Sequence, residues 1–412
     1  MAEELFLEAL KREYEERKRE KTTPHFRERA WERFQTLGLP QKKEEAFRYL
    51  PLTQMYLEAV DLTRADAQKE AISSTLKETT CALFAGELLM GILPKNVQLL
   101  SLEEGVKKFG HFFQNRWAQQ LEKEEDPLAL LNLALHRGGL FLYIPPDCSV
   151  DLPIHCLFPL QNSFNRVVIF VGARASLNFI SRTLGGRWNS TVFDIALDTS
   201  SQFNHLHLVS LQEEAEHFDS FRVSLKQKSS MRSFSLNFGA KVARQDFQVQ
   251  LLGEGAEVDL KGLSLLEKKR HVHTHIVMDH QKKRCRSLQK FKTALTDFAQ
   301  TSFSGKILVR EEAEKTEAYQ LSSNLLLSDS SIANMRPTLE IFTDDVKASH
   351  GATTGYLDKE QLFYLKSRGL STEGAKRLLV SAFCTEMLQD LSPAFFSKMS
   401  RALVAEFLEN LC

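Results

Sequence analysis

"GEGAEVDLKGLSL" (residues 253–265) opens on two glycines around a glutamate and then alternates apolar with polar side chains. Alternation with a period of two marks a strand with one buried face. "GARASLNFI" (172–180) repeats the arrangement: a glycine-led turn, a small residue, a short alternating run. Similar runs surround them, as in "VVIFV" (167–171), "FNHLHLVSL" (203–211), "FDSFRVSL" (218–225), "RSFSLNF" (232–238) and "DFQVQLLG" (246–253). Short polar or glycine-containing breaks separate the runs at fairly regular intervals. No helices alternate with them, which disfavours a doubly wound α/β sheet. A sandwich, a barrel or a stacked β-solenoid remains. Each run is too short to bury a core without neighbours above and below it, and the runs look alike. The chain is therefore read as mainly β, with a β-solenoid at its centre.

Helical periodicity flanks this core. Leu7, Leu10 and Tyr14 follow helical spacing, as do Phe26, Ala30, Phe34 and Leu37, before Gly38 and Pro40 end the pattern. The mixed-sign run "KREYEERKREK" (11–21) reads as a solvated helix face. Beyond the core, Asp358 caps a helix carrying "LFYL" that stops at Gly369. A second helix places Ala375, Leu378, Leu379, Ala382 and Phe383 on one face. A third has Ser392 as its cap, Pro393 as its first residue, and a stripe of Met399, Leu403, Phe407 and Leu411. The expected division is an N-terminal helical domain (1–135), a β core (136–355) and a C-terminal helical domain (356–412) that offers a docking surface for a partner protein.

Composition narrows the function. Hydrophobic residues make up 43% of the 412 residues, so a real core is affordable by size. Lys+Arg and Asp+Glu both number 53, so nothing favours a dedicated nucleic-acid binder. Phe outnumbers the other aromatics, 29 against 3 Trp and 7 Tyr, as a dry interior requires. The cysteines at 81, 148, 156, 285, 384 and 412 form no CxxC pair, which fits a reducing compartment and no zinc ribbon. The charged N-terminus lacks a secretory apolar stretch, and no run is long enough to span a bilayer, so a cytoplasmic location is expected and no membrane partner.

Few residues invite chemistry. "HVHTH" puts His271, His273 and His275 on one face of a strand, with His280 beyond, and such imidazoles can converge on a metal. Asp329, Glu340, Asp344 and Asp345 would have to supply the carboxylate pair of a β-helical carbohydrate-active enzyme. Asp344 and Asp345 are adjacent, however, and adjacent strand residues point to opposite faces. No G-x-S-x-G, Walker A or Rossmann glycine pattern occurs, so any ATP must be bound by another chain. In "DDVKASHGATTG" (344–355), His350 stands out as a side chain that changes charge near neutral pH and binds metals.

Several longer blocks resemble the SufB/SufD family of the SUF iron–sulfur cluster assembly system. They are "HQKKRCRSLQKFKTALTDFAQTSFSGKILV" (280–309), "EAYQLSSNLLLSD" (317–329) and "PTLEIFTDDVKASHGATTGYLDKEQLFYLKSRG" (337–369), with "GLPQKKEEAFRYLPL" (38–52) near the N-terminus. The resemblance implies a right-handed parallel β-helix between two helical domains. It implies a non-enzymatic scaffold that works with a SufB-like paralogue and two copies of a SufC-like ABC ATPase. The β-helices of SufB and SufD pair, and each C-terminal helical domain holds one ATPase. Here Leu362, Phe363, Tyr364, Arg368, Leu378, Leu379 and Phe383 would form the ATPase-docking surface. Where SufB sequences carry His-Glu-Ala, this chain has His350-Gly351-Ala352, and it has Ser331 where SufB has a reactive cysteine; both differences resemble SufD. The resemblance makes His350 an iron or cluster ligand at the interface shared with SufB. Ala348 departs from the usual SufD cysteine, and a methyl group cannot ligate iron. A transient cluster or iron there must draw its other ligands from the partner. A homodimeric scaffold is the nearest alternative.

Overall fold

The computed structural model describes residues 2–18, 23–58, 81–84, 87–136, 138–158, 163–389 and 391–409. The N-terminal part supplies helices α1 (Ala2–Arg17), α2 (Pro24–Leu37), α3 (Leu52–Glu58), α4 (Leu102–Lys108), α5 (Gly110–Lys123) and α6 (Pro127–Leu135). As expected, α2 ends at Gly38: its N–H still donates to the Phe34 carbonyl, and its positive φ of 78° turns the following chain out of the helix. Strands β1 (Cys81–Phe84), β2 (Glu87–Gly91) and β3 (Gln98–Ser101) lie among these helices and extend the sheets of the core.

The core begins with β4 (Leu140–Ile144), β5 (Ser149–Phe158), β6 (Ser163–Val171), β7 (Ser176–Thr183), β8 (Trp188–Leu197), β9 (Gln202–Val209), β10 (Glu216–Leu225) and β11 (Ser230–Asn237). It continues with β12 (Val242–Leu251), β13 (Glu257–Leu266), β14 (His271–His280), β15 (Arg286–Leu295), β16 (Gln300–Val309), β17 (Thr316–Leu326), β18 (Ile332–Ile341) and β19 (Val346–Tyr356). Even-numbered strands from β4 form one sheet with β3, and odd-numbered strands from β5 form the other with β1 and β2. Neighbours from β4 and β5 onward are parallel and two apart in sequence, so each pair of strands is one coil and eight coils stack. The solenoid is parallel, and neither a sandwich nor a barrel is formed.

Stacking sets what lies inside. On β10 the inward residues Phe221, Val223 and Leu225 are buried in the central cluster, while Phe218 points out toward the N-terminal helices. Phe193, Phe221 and Phe247 are register partners on successive coils. Their rings stack face to face at 4.8 Å and 4.4 Å, with planes only 5° and 6° apart. That spacing is the distance between neighbouring strands, so the stack follows from coil geometry.

One corner of the solenoid repeats a backbone state. Asp147, Arg174, Ser200, Lys228, Gly255, Arg284 and Lys315 all have positive φ, and only one of them is glycine. A left-handed non-glycine residue costs roughly 1–2 kcal/mol. The corner offsets that cost because the amide of each residue donates to a carbonyl one coil along, as in Arg174 N to Thr199 O (2.9 Å) and Arg284 N to Glu314 O (2.9 Å). The residue that follows is small each time: Cys148, Ala175, Ser201, Ser229, Ala256, Cys285 and Thr316. Two of the cysteines thus occupy a packing position.

The helical parts cover opposite outer faces. The N-terminal helices lie on the even-numbered sheet, where Phe113 and Trp117 meet Phe164, Trp188 and Phe218. Beyond the core come α7 (Lys359–Ser367), α8 (Thr372–Leu388) and α9 (Ala394–Glu409). Of these, α8 and α9 lie on the odd-numbered sheet, with Val380, Cys384, Met387 and Leu408 against Ile180, Leu206, Leu236 and Leu263. Two helix faces differ from expectation. On α8 the buried residues are Ala375, Val380, Cys384, Met387 and Leu388, whereas Leu378 is 48% exposed and Ala382 is exposed. On α9, which begins one residue after Pro393, the deepest line is Phe396, Ser400, Val404 and Leu408, with Met399, Leu403 and Phe407 half-buried beside it. Leu411 lies outside the described residues. Each helix touches both the solenoid and its neighbour, so the covered arc is wide and its centre falls one residue from the most apolar line. Among the described residues no helix is long and apolar enough to cross a membrane.

Candidate functional site

The last coil is open. Among the described residues β18 pairs with β16 alone and β19 with β17 alone, so each has one edge to which no described strand adds. Met335, Leu339, Val346 and Ala348 pack half-buried onto the central core, and among the described residues no further strand stacks above them. Phe342 (62%), Tyr356 (60%) and Ile332 (45%) are exposed around them. An uncovered solenoid end with bared edges is a ready site for another chain to add to.

His350 lies on β19 within this end. It shares the inward parity of Ala348, which stands in register with the fully buried Ala318. In the same way Leu260, Gln289, Gln320 and His350 form one column through successive coils. Within the column Gln320 Nε2 donates to Gln289 Oε1 at 2.7 Å. His350 ends this column, and it is exposed because among the described residues no further coil follows β19. Its imidazole is thus presented along the solenoid axis to whatever covers the end. Ala348, on the same inward line, offers no ligand. Phe342 and Tyr356, which flank the site, carry no signal in the sequence that separates them from core aromatics.

The other candidates fall elsewhere. His271, His273 and His275 share one face of β14, but it is the outer face, covered by the N-terminal part. His273 Nδ1 meets Ser302 Oγ at 2.6 Å and its Nε2 meets the Ala46 carbonyl at 3.0 Å. His275 Nδ1 meets Asp246 Oδ1 at 2.5 Å, and His271 Nε2 meets Ser302 Oγ at 3.3 Å. His271 and His273 thus share the Ser302 hydroxyl, His275 turns to Asp246, and the three rings do not converge on one point. His280 points inward to Ser287 Oγ, 2.9 Å away. Of the acids, Glu340 pairs with Lys306 at 2.8 Å, while Asp344 and Asp345 are exposed in the turn before β19. Among the described residues they form no facing carboxylate pair.

The C-terminal docking candidates divide. Helix α7 buries no residue, and it exposes Phe363 (74%) and Tyr364 (55%), with the Arg368 guanidinium 5.1 Å from the Tyr364 ring. Leu362 and Leu379 are half-buried, and Leu378 is exposed. Phe383 turns the other way: Lys292 Nζ lies 4.3 Å over its ring, so it helps seat α8 on the solenoid. Burial pushes the Cys384 thiol up to about 12 and raises those of Cys285 and Cys148, so none of these three is a ready thiolate.

Comparison with known proteins agrees with this architecture. Residues 159–383 match the family model described as SUF system FeS cluster assembly, SufBD core domain, and residues 4–156 match the SufBD protein N-terminal region. An iron–sulfur cluster assembly SufBD family protein of Synechocystis is 29% identical over 67% of this chain and 65% of its own length. The iron–sulfur cluster assembly protein SufD of Escherichia coli is 32% identical over 53% of this chain and 52% of its own. A SufBD family protein of Pyrococcus horikoshii is 24% identical over 89% of this chain and 83% of its own. The first two alignments thus span between half and two thirds of the relatives they match.

Proposed function

We propose that this chain, which belongs to the SufBD family of iron–sulfur cluster assembly proteins, works as a SufD-like, non-enzymatic scaffold subunit. Its partners in this reading are a SufB-like paralogue on the open end of the solenoid and a SufC-like ABC ATPase on the C-terminal helices. The observation that carries the reading is the uncovered last coil with His350 at its mouth. A partner solenoid docked there would bury Phe342 and Tyr356 and enclose His350. The imidazole would then be one ligand for iron or a nascent cluster, the transient cargo, and thiolates or carboxylates of the partner would complete the shell. ATP would act through the ATPase, bound to exposed α7 residues such as Phe363 and Tyr364, by favouring one arrangement of the C-terminal helices over another. The functional division follows as 1–135, 136–355 and 356–412, with the last part as the ATPase-docking domain.

The test is co-expression with SufB-like and SufC-like proteins, followed by purification through a tag on this chain. His350→Ala is expected to leave the complex intact, since the side chain is exposed, and to reduce its iron content severalfold. Unchanged iron content in an intact complex removes His350 from the reading. Mass measurement with and without the SufB-like protein separates the heterodimer from a homodimer.

A further inference from the structure

Most of the solenoid interior is apolar, but one stretch gathers several ionisable side chains. His205 and His207 on β9 have the inward parity of Phe203, and His217 and Asp219 on β10 have that of Phe221. All four are 1% exposed or less. Asp219 Oδ2 lies 2.8 Å from His207 Nε2 and 2.5 Å from His217 Nε2. The donor atoms of His207, His217 and Asp219 all fall within 4.8 Å of one another.

The hydrogen bonding around them is incomplete. His217 Nε2 approaches the carboxylate without the alignment of a hydrogen bond, and neither its Nδ1 nor Asp219 Oδ1 has a partner. Thr191 Oγ1 and Gln245 Nε2, on the two residues in register with Asp219, are buried without partners as well. So is Ser235 Oγ, in register with His207. Buried polar atoms are normally satisfied, and such a concentration of orphans calls for a ligand. Behind His207 the bonding is complete: Nδ1 meets Ser181 Oγ at 2.7 Å, Ser181 Oγ meets His205 Nε2 at 2.8 Å, and His205 Nδ1 meets Ser233 Oγ at 3.1 Å. His207 Nε2 donates to Asp219 Oδ2 when it carries the proton; when the protons of that relay run from His207 toward Ser233 instead, Nε2 is left with a lone pair aimed at the carboxylate. Two lone pairs face each other stably only with a cation between them, and hydrogen bonds that fix a ligand's tautomer are the usual support of a metal site.

We propose that His207, His217 and Asp219 hold a divalent first-row transition metal, zinc or iron(II), inside the solenoid. Two imidazoles and a carboxylate suit such ions, and metal–ligand distances of about 2.0–2.2 Å are reached from the present positions by small side-chain shifts. A water in the remaining position would find Thr191 and Gln245. The site stands four coils from the open end, so it is separate from His350.

The full-length protein is unfolded in denaturant with chelator, refolded with or without Co(II), desalted, and analysed for metal. About one Co(II) per chain is expected, with a visible ligand-field spectrum. His217→Ala should lower retention at least tenfold, and His350→Ala should leave it unchanged. Absence of retained Co(II) in the refolded wild type overturns the proposal, as does undiminished retention in His217→Ala. If His217→Ala does not fold, X-ray absorption of the Co(II)-loaded wild type decides. Two imidazoles without sulfur in the shell support the site, and sulfur ligands or a purely aqueous shell overturn it.

Discussion

Asp246→Ala should loosen the N-terminal helices from the solenoid. Asp246 is fully buried at their seam, where it accepts from Arg222 Nη1 (2.6 Å), Arg244 Nη2 (3.3 Å) and His275 Nδ1 (2.5 Å). Arg222 also holds both oxygens of Glu124, at 2.7 Å and 2.9 Å, and Arg244 holds Asp126 at 2.6 Å. Removing Asp246 leaves the buried Arg244 with Asp126 alone, Arg222 with Glu124 and a longer contact to Asp126 (3.8 Å), and His275 without its carboxylate. Breaking a buried pair in this way costs about 3–5 kcal/mol. Asp246→Asn keeps an acceptor but loses the charge, and should cost about 2 kcal/mol. Trp31, Trp117 and Trp188 all lie in the apolar cluster at this seam, so urea unfolding followed by tryptophan fluorescence reads it directly. With a slope of about 2 kcal/mol per molar urea, Asp246→Ala should lower the midpoint by about 2 M. Burial alone would raise the carboxyl's pKa, but Arg222, Arg244 and His275 outweigh it and hold it well below the usual range. Its stabilisation is therefore complete above the unfolded value of about 4 and lost as pH falls toward the depressed folded value. The gap between wild type and variant should shrink below that point. A midpoint for Asp246→Ala within about 0.25 M of wild type at pH 7, or about 0.5 kcal/mol at that slope, would refute the closed, desolvated network.

Phe342→Asp with Tyr356→Asp should leave the thermal midpoint of the isolated chain unchanged and weaken binding of the SufB-like partner at least tenfold, read by titration. Loss of the chain's own fold instead would mean that these rings are core. Gly305→Ala should destabilise by about 1–3 kcal/mol in urea, because its methyl group would meet Gln320 Nε2 at 2.2 Å and disturb the column that ends at His350. Glu386, at the seat of α8, has its carboxyl held down to about 2 by Lys290 and Lys292. The contact is half-exposed, so Glu386→Gln should cost under about 1 kcal/mol. In wild type that contribution should fade between about pH 4 and pH 2, as followed by hydrogen exchange of α8.

The solenoid was readable because its coils repeat an alternating run after a turn, and because no helix interrupts them. Its corner was not. The left-handed position is held by Asp, Arg, Ser, Lys, Gly, Arg and Lys in turn, and the coil-to-coil hydrogen bond that stabilises it belongs to the backbone. No side-chain pattern can announce such a position. His350 was readable as a residue but not as a place. Its exposure depends on its place in the last of the eight described coils, which is a property of the stack and not of "DDVKASHGATTG".

The interior histidines show where alternation misleads. In "FNHLHLVSL" the period of two is clear, and on a strand with one buried face the leucines should point inward and the histidines outward. Here both faces are covered. Leu206 and Leu208 point outward and are buried by α8 and α9, so they need no place in the solenoid interior. His205 and His207 are thereby turned inward, where Ser181, Ser233 and Asp219 meet them. On β14 the same double coverage acts in the opposite sense. There Ile276 and Met278 fill the interior, and the histidines of "HVHTH" face the N-terminal part, where Ser302, the Ala46 carbonyl and Asp246 hold them. The two strands look alike in sequence, and what distinguishes them is which helical domain covers the outer face. The histidines that stood out in the sequence are therefore dispersed. The ones that converge, His207 and His217, lie on two successive strands, and alternation alone would place His207 on the solvent face of its strand.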